Sequence, residues 1–477
     1  MPEGTLIIIG GKMLAELLSR YNDKIISRFH MPGHHGNLID SFDEIFKWDI
    51  TEVPGYDNLQ NPTGIIKMEE DRAAKLFQSN ECILGVNGST GFLVAGVLAL
   101  SKPGRGIIFP REAHMSLYNG ALLAKSELYY YDSYIDEATG MSVGPNLISF
   151  EETIEKYAEK CDLCIITSPN YMGFTAPIEK MIKIAKKNKL KILVDEAHGA
   201  HFPLFSQLPE SAIKYNADMV VQSMHKMLPF PTQLALAHLS NDISKEKIRR
   251  CISLTNTTSP SYLLMGMFSK IMDQIINTKK DEMDNMYKNI MEFYDEFDKT
   301  IFYNKDIDLM CKNKKKDPYK IILDSNKIGL NGYEFEKILR EKFGLQMEAW
   351  DSRYVLALSS PFQKQRDRIR LLEALKDIQS NKERRDIKSK NIISNSFFEK
   401  AESIYPIYDV FFKDSKEKEI RNSLGEISAD FIIAYPPGIP LLCPGEKIEK
   451  RHIDVILLMK KHFITVLGAD KYIKVLK

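Results

Sequence analysis

Between Glu81 and Leu239, short apolar runs alternate with stretches of helical periodicity. "CILGVN" precedes a helix from Ser89 to about Leu100, and "GIIFP" precedes one through "HMSLYNGALLA". "LYYYD" comes next, "LCIITS" leads to a helix near "IEKMIKIAKKN", and "KILVDEA", "DMVVQS" and "LALAHL" complete the series. The runs are rich in Ile, Val and Leu without in–out alternation, as strands covered on both faces are. Strand–helix alternation of this kind predicts an α/β region built on a mainly parallel sheet.

A long helical stretch, roughly Ser259 to Lys299, follows, and then a second, α+β region to about residue 380. The charged run "SNKERRDIKSKN", Ser380 to Asn391, predicts a boundary. The final segment carries a Pro/Gly-rich loop, "AYPPGIPLLCPGE", Ala434 to Glu446. The expected partition is an N-terminal helix or arm with loops over 1–70, a large domain over 71–299, a small α+β domain over 300–385 and a C-terminal domain over 386–477.

Composition narrows the class. The chain has 477 residues, 44% of them hydrophobic and 27% charged, which suits a globular protein with a sizeable core. A net charge of +1 provides no global field toward nucleic acid or an anionic membrane. The apolar run Leu6 to Ile9 is too short for a signal or a membrane span, so a cytoplasmic location is expected. Six cysteines in this length make no disulfide framework. Cys161 and Cys164 read as small apolar side chains at a strand entrance.

In open parallel sheets, ligands bind at the carboxyl ends of the strands. Here those ends carry Gly88-Ser89-Thr90-Gly91, Arg111-Glu112-Ala113-His114, Pro169-Asn170-Tyr171, Asp195 to His201, and Ser223-Met224-His225-Lys226. Small hydroxylated residues opening a helix suit an anion, because free N–H groups and the helix dipole point there. No Gly-Lys-Ser/Thr follows, so this is not a P-loop. Lys226 follows a buried run, and a lysine there needs a partner or a chemistry that consumes its charge. Two chemistries compete. Asp195, His198 and His201 are ligand types for a metal such as zinc, with His30, His34 and His35 as further histidines. Pyridoxal phosphate instead needs a lysine for a Schiff base, an acid for the pyridine nitrogen, an anion cradle and a flat group against the ring. Lys226, Asp195, Ser89 with Thr90, and His114 supply all four, and this reading accounts for Lys226.

Eight stretches then converge on one resemblance: "FHMPGHHGN", "DITEVPGYDNLQNPTGII", "VNGSTGF", "REAHMSLYNG", "TSPNYMG", "VDEAHGAH", "SMHKMLPFPTQ" and "YPPGIPLLCPGE". In order and spacing the chain resembles the bacterial ornithine/lysine/arginine decarboxylases, from about residue 5 to its end. It is similar to their short branch, which has no receiver-like N-terminal domain. The resemblance implies pyridoxal phosphate fold type I: a mainly parallel seven-stranded sheet flanked by helices, with a smaller α+β domain and a C-terminal domain. It implies decarboxylation of lysine, arginine or ornithine to a polyamine-type amine, by a homodimer with active sites at the subunit boundary. It makes Lys226 the Schiff-base lysine, Asp195 the partner of the pyridine nitrogen and His114 the stacking ring. Ser89, Thr90, Ser223 and His225 become phosphate contacts, His198 a residue beside the ring, and Glu446 a residue facing the distal amine of the substrate. His225 or Lys226 would return a proton to the α-carbon. His35, Asn58, Gln60 and Met227 depart from the family's usual residues. An aminotransferase or aldolase on the same fold, or a non-catalytic regulatory relative, is the alternative; an aminotransferase would use an arginine such as Arg353 to hold the substrate carboxylate.

Overall fold

Seven of the apolar runs pair into one sheet. The computed structural model describes residues 27–29, 57–380 and 400–477, apart from 138, 314, 436 and 437. The expected N-terminal helix, His30, His34 and His35, and the charged run after Ser380 lie outside these residues. The strands are β1 (Glu81–Gly85), β2 (Gly106–Pro110), β3 (Glu127–Tyr131), β4 (Cys161–Thr167), β5 (Lys191–Asp195), β6 (Met219–Ser223) and β7 (Ala235–Leu239). Their order across the sheet is β1-β7-β6-β5-β4-β2-β3. Every position of β2, β6 and β7 is buried, as the unbroken Ile/Val/Leu pattern requires.

All strands run parallel except β7, which is antiparallel to both its neighbours. The connection from β6 to β7 is a single helical turn and a short loop. That is too short for a crossover, so the chain folds back, with Ala235 opposite Ser223 and Leu239 opposite Met219. Lys226 sits in that reversal, at the carboxyl end of β6.

Helix α1 (Gly88–Leu100) is apolar on nearly every side, because it is covered on nearly every side. It lies on the sheet through Gly96, where a Cβ would meet the side chains of Leu193 and Met219 at 3.0–3.2 Å. It crosses α2 (Met115–Ala124) at Gly120, where a Cβ would stand 2.9 Å from Val97 Cβ. The expected long helical region from Ser259 to Lys299 comprises two helices, Tyr262–Asn277 and Lys280–Phe297. The chain turns extended at Thr278 and Lys279, and Thr278 bonds back to the Gln274 carbonyl.

Beyond them, β8 (Lys320–Asp324) and β9 (Tyr354–Leu358) form an antiparallel sheet with the two-residue strand Ala349–Trp350. Its core includes Phe202, Phe205 and Met227, so the residue after Lys226 is a fully buried packing contact. In the C-terminal segment, β10 (Ile432–Tyr435) is central, between β11 (Ile439–Leu442) and Thr465–Leu467. The main core on α1 and α2 extends to Ile407, Phe431 and Cys443 of this segment. The small sheet and the C-terminal segment thus both close over the carboxyl ends of the large sheet.

Candidate active site

A cavity of about 750 Å³ lies where those three parts meet. The carboxyl ends of β2, β4, β5 and β6 form its floor through Pro110, Thr167, Asp195 and Ser223. The stretch Gln346 to Asp351 forms one wall, and Ala434, Tyr435 and Ile439 form another. Ser89, Thr90, His114, Asp195, His198, Ser223, His225 and Lys226 all line it.

At one end is the first turn of α1. Gly88 adopts φ +69°, a left-handed conformation that glycine tolerates, and its N–H donates to the Gln233 carbonyl at 2.7 Å. The next two residues present hydroxyls beside the free amides of the helix. Ser223 Oγ donates to Ser89 Oγ at 2.7 Å, which joins the end of β6 to the start of α1. Thr90 is exposed.

Asp195 ends β5 and is buried. Burial raises its carboxyl pKa, while the Lys226 charge and the Ala197 N–H, which donates at 3.1 Å, lower it. Burial also lowers the Lys226 pKa, against the pull of Asp195 and Glu348. Lys226 Nζ is 3.1 Å from His198 Nε2, and His198 Nδ1 is 2.8 Å from Lys320 Nζ. Burial first, and then the two lysines, hold His198 well below its ordinary pKa, so its ring is neutral.

His114 is both a wall of the cavity and the N-cap of α2, accepting from the Ser116 N–H at 3.2 Å. Burial and the nearby Lys226 push its pKa down to about 4. Gly438, at φ +87°, lies against the ring, and a Cβ there would be 3.3 Å from it.

One expectation comes out differently. Glu446 does not line the cavity. It is buried, accepts from the Cys443 N–H at 2.7 Å and faces Arg111 at 3.7 Å, so its charge is spent inside the fold. The three candidate metal ligands do not converge: both His198 ring nitrogens face amines, and His201 pairs with Asp317 at 3.1 Å in the interior. Arg353, the candidate carboxylate grip, is engaged with Asp324 at 2.8 Å and does not line the cavity. Sequence reasoning passes over Lys320 and Glu348. The only signal for Lys320 is a lysine heading an apolar strand, "KIILD", the same kind of anomaly as Lys226.

The residues present fit pyridoxal phosphate. A helix start with two serine hydroxyls suits the phosphate, a buried carboxylate suits the pyridine nitrogen, and a desolvated lysine stands in the same cavity.

Comparison with known proteins agrees. Residues 13–316 match the model of the Orn/Lys/Arg decarboxylase major domain, and residues 400–467 match that of the Orn/Lys/Arg decarboxylase C-terminal domain. The chain belongs to the Orn/Lys/Arg decarboxylase family. It is a pyridoxal-phosphate-dependent decarboxylase of a basic amino acid. Arginine decarboxylase of Bacillus subtilis (strain 168) is 28% identical over 454 residues, covering 90% of this chain and 89% of the relative. Arginine decarboxylase of Bacillus anthracis is 27% identical over 440 residues, covering 90% and 89%. The lysine decarboxylase LdcF of Francisella novicida superposes with a TM-score of 0.77 at 18% identity, over 91% of this chain and 75% of that one. That likeness shows the shared fold, pyridoxal phosphate fold type I.

Proposed function

We propose that this cavity decarboxylates arginine, with Lys226 as the residue that carries the cofactor. The observation behind the site assignment is the convergence of Lys226, Asp195 and the first turn of α1 in one cavity. Arginine is chosen on the curated relatives, which are named for that activity. When bound, pyridoxal phosphate supplies an electron-accepting ring that takes up the pair left by departing carbon dioxide.

The protein's own residues do the rest. The α1 amides with Ser89, Thr90, Ser223 and His225 would hold the phosphate and fix the position of the ring. Asp195 would keep the pyridine nitrogen protonated, and burial without a permanent cation beside it suits that task. His114 would lie against the ring, backed by Gly438. Neutral His198 holds Lys226 Nζ in place. Lys226 Nζ and His225 are the groups that would return a proton to the α-carbon. Glu348, whose carboxylate accepts from Tyr171 Oη at 2.7 Å in the same cavity, gives a cationic side chain a counter-charge. The engagement of Arg353 with Asp324 removes the arginine that an aminotransferase reading would use.

The same reading includes an amine product of the polyamine class, a cytoplasmic location and a homodimer with sites at the subunit boundary. These three rest on the motif resemblance. Among the described residues no helix is long and apolar enough to cross a membrane.

Release of carbon dioxide from carboxyl-labelled arginine, lysine, ornithine and a neutral amino acid tests the proposal. Release from arginine above all others is expected. Preference for lysine or ornithine would move the substrate within the family, and no release from any would overturn the catalytic assignment.

A further inference from the structure

Lys320 is a second lysine buried beside the cavity, and the reaction outlined above leaves it without a task. It heads β8 and is fully buried. Its stem is held by Gly173, where a Cβ would come within 2.7 Å of Lys320 Cγ. Its amine is 2.8 Å from His198 Nδ1, and the other His198 nitrogen is 3.1 Å from Lys226 Nζ. The groups facing it are His198, the Tyr171 ring at 5.2 Å, the carboxylates of Glu348 and Asp317, and the amines of Lys226 and Lys316. Lys316 Nζ donates to the carbonyls of Asp317 and Lys320, and Asp317 is paired with His201.

A neutral imidazole has one N–H and one bare nitrogen. An ammonium can only donate, so it requires the bare nitrogen on its side. If Lys320 is charged, His198 must carry its hydrogen on Nε2 and donate it to a neutral Lys226. If Lys226 is charged, the hydrogen sits on Nδ1 and Lys320 is the neutral amine. The bridge therefore accommodates one ammonium at a time.

We propose that Lys320 is a positioning residue that controls Lys226 through His198, by taking the proton that Lys226 must lose to become a nucleophile. One proton leaves Lys226 Nζ for His198 Nε2 while the Nδ1 hydrogen passes to Lys320 Nζ. The imidazole is neutral before and after, no other group changes, and one positive charge has moved across the ring. A pKa of about 7 for Lys320, set mainly by burial, keeps it able to exchange a proton near neutrality.

This rests on the reading of Lys226 as the cofactor's lysine. The test is the rate at which cofactor-free protein takes up pyridoxal phosphate, followed as the rise of a visible band across pH. Wild type, Lys320→Met and Lys320→Arg are compared, so titration of pyridoxal phosphate itself cancels. Methionine removes the competitor for the proton, so the pH midpoint should rise by about one unit, with uptake roughly tenfold slower below it. Arginine holds a permanent charge against Nδ1, so the midpoint should fall by a similar amount. Midpoints equal to wild type in both variants would overturn the proposal and leave the Lys226 assignment intact. If the methionine variant does not fold, the arginine variant decides alone: an unchanged or raised midpoint overturns the proposal. No band in wild type would overturn both.

Discussion

Burial disfavours the charged form of two groups at the site, Asp195 and Lys320. Burial raises the Asp195 pKa against the pull of Lys226, and Asp195→Asn should keep the cofactor on Lys226 while lowering the rate of carbon dioxide release by at least about 100-fold. An undiminished rate would remove Asp195 from the chemistry. Lys320 works against folding. Its pKa in the fold, about 7, lies below the ordinary 10.5, so between those values the unfolded chain keeps a proton that the native state has released. Native stability therefore climbs with pH across that window, and at pH 7 or below the buried charge is a full penalty. Lys320→Met should stabilise the cofactor-free protein at pH 7 by on the order of 2 kcal/mol in urea denaturation, with the advantage shrinking toward pH 10. Equal stabilities at both pH values would contradict this. Lys226 was visible in the chain because it ends an apolar run in a series of such runs. Lys320 is the same kind of residue but heads a strand nearly a hundred positions later. Only the packing of one sheet over another brings its amine to His198. Glu446 failed for the converse reason: its loop is close to the cavity, but nothing in a loop sequence reveals that Arg111 lies behind it.

Among the elements, the parallel strands were legible because burial on both faces erases alternation and leaves bare Ile/Val/Leu runs. The direction of β7 was not, since direction depends on the length and path of the connection, and "MHKMLPFPTQ" does not declare itself a reversal. The break at Thr278 coincides with a lapse in the apolar periodicity of the flanking helices, since Asn277 to Glu282 are all polar. α1 was legible as a helix start, and its close crossing with α2 makes a prediction. Gly120→Ala gains helix propensity of about 1 kcal/mol but drives a methyl into Val97, so a net loss of about 1–2 kcal/mol is expected in thermal or urea unfolding. A stabilised variant would show that the two helices part freely.

At the scale of the whole molecule, the site exists because three parts meet over one sheet edge. Arg111, fully buried at the end of β2, donates to the Pro440 and Leu441 carbonyls at 2.9 Å each and to Tyr118 Oη at 2.9 Å. It thereby fastens the C-terminal segment that brings Tyr435 and Gly438 to the cavity. Arg111→Ala leaves those carbonyls without their donor and the Glu446 carboxylate without its counter-charge, and should cost about 3–5 kcal/mol in urea unfolding together with a weaker hold on the cofactor. A variant as stable as wild type would show that the segment is fastened elsewhere. The central claim is that, of the two lysines meeting at His198, Lys226 is the one that carries pyridoxal phosphate. Borohydride reduction of the loaded protein, followed by digestion and mass spectrometry, tests it most directly. The adduct is expected on the peptide containing Lys226. An adduct on Lys320, or none at all, would contradict the account.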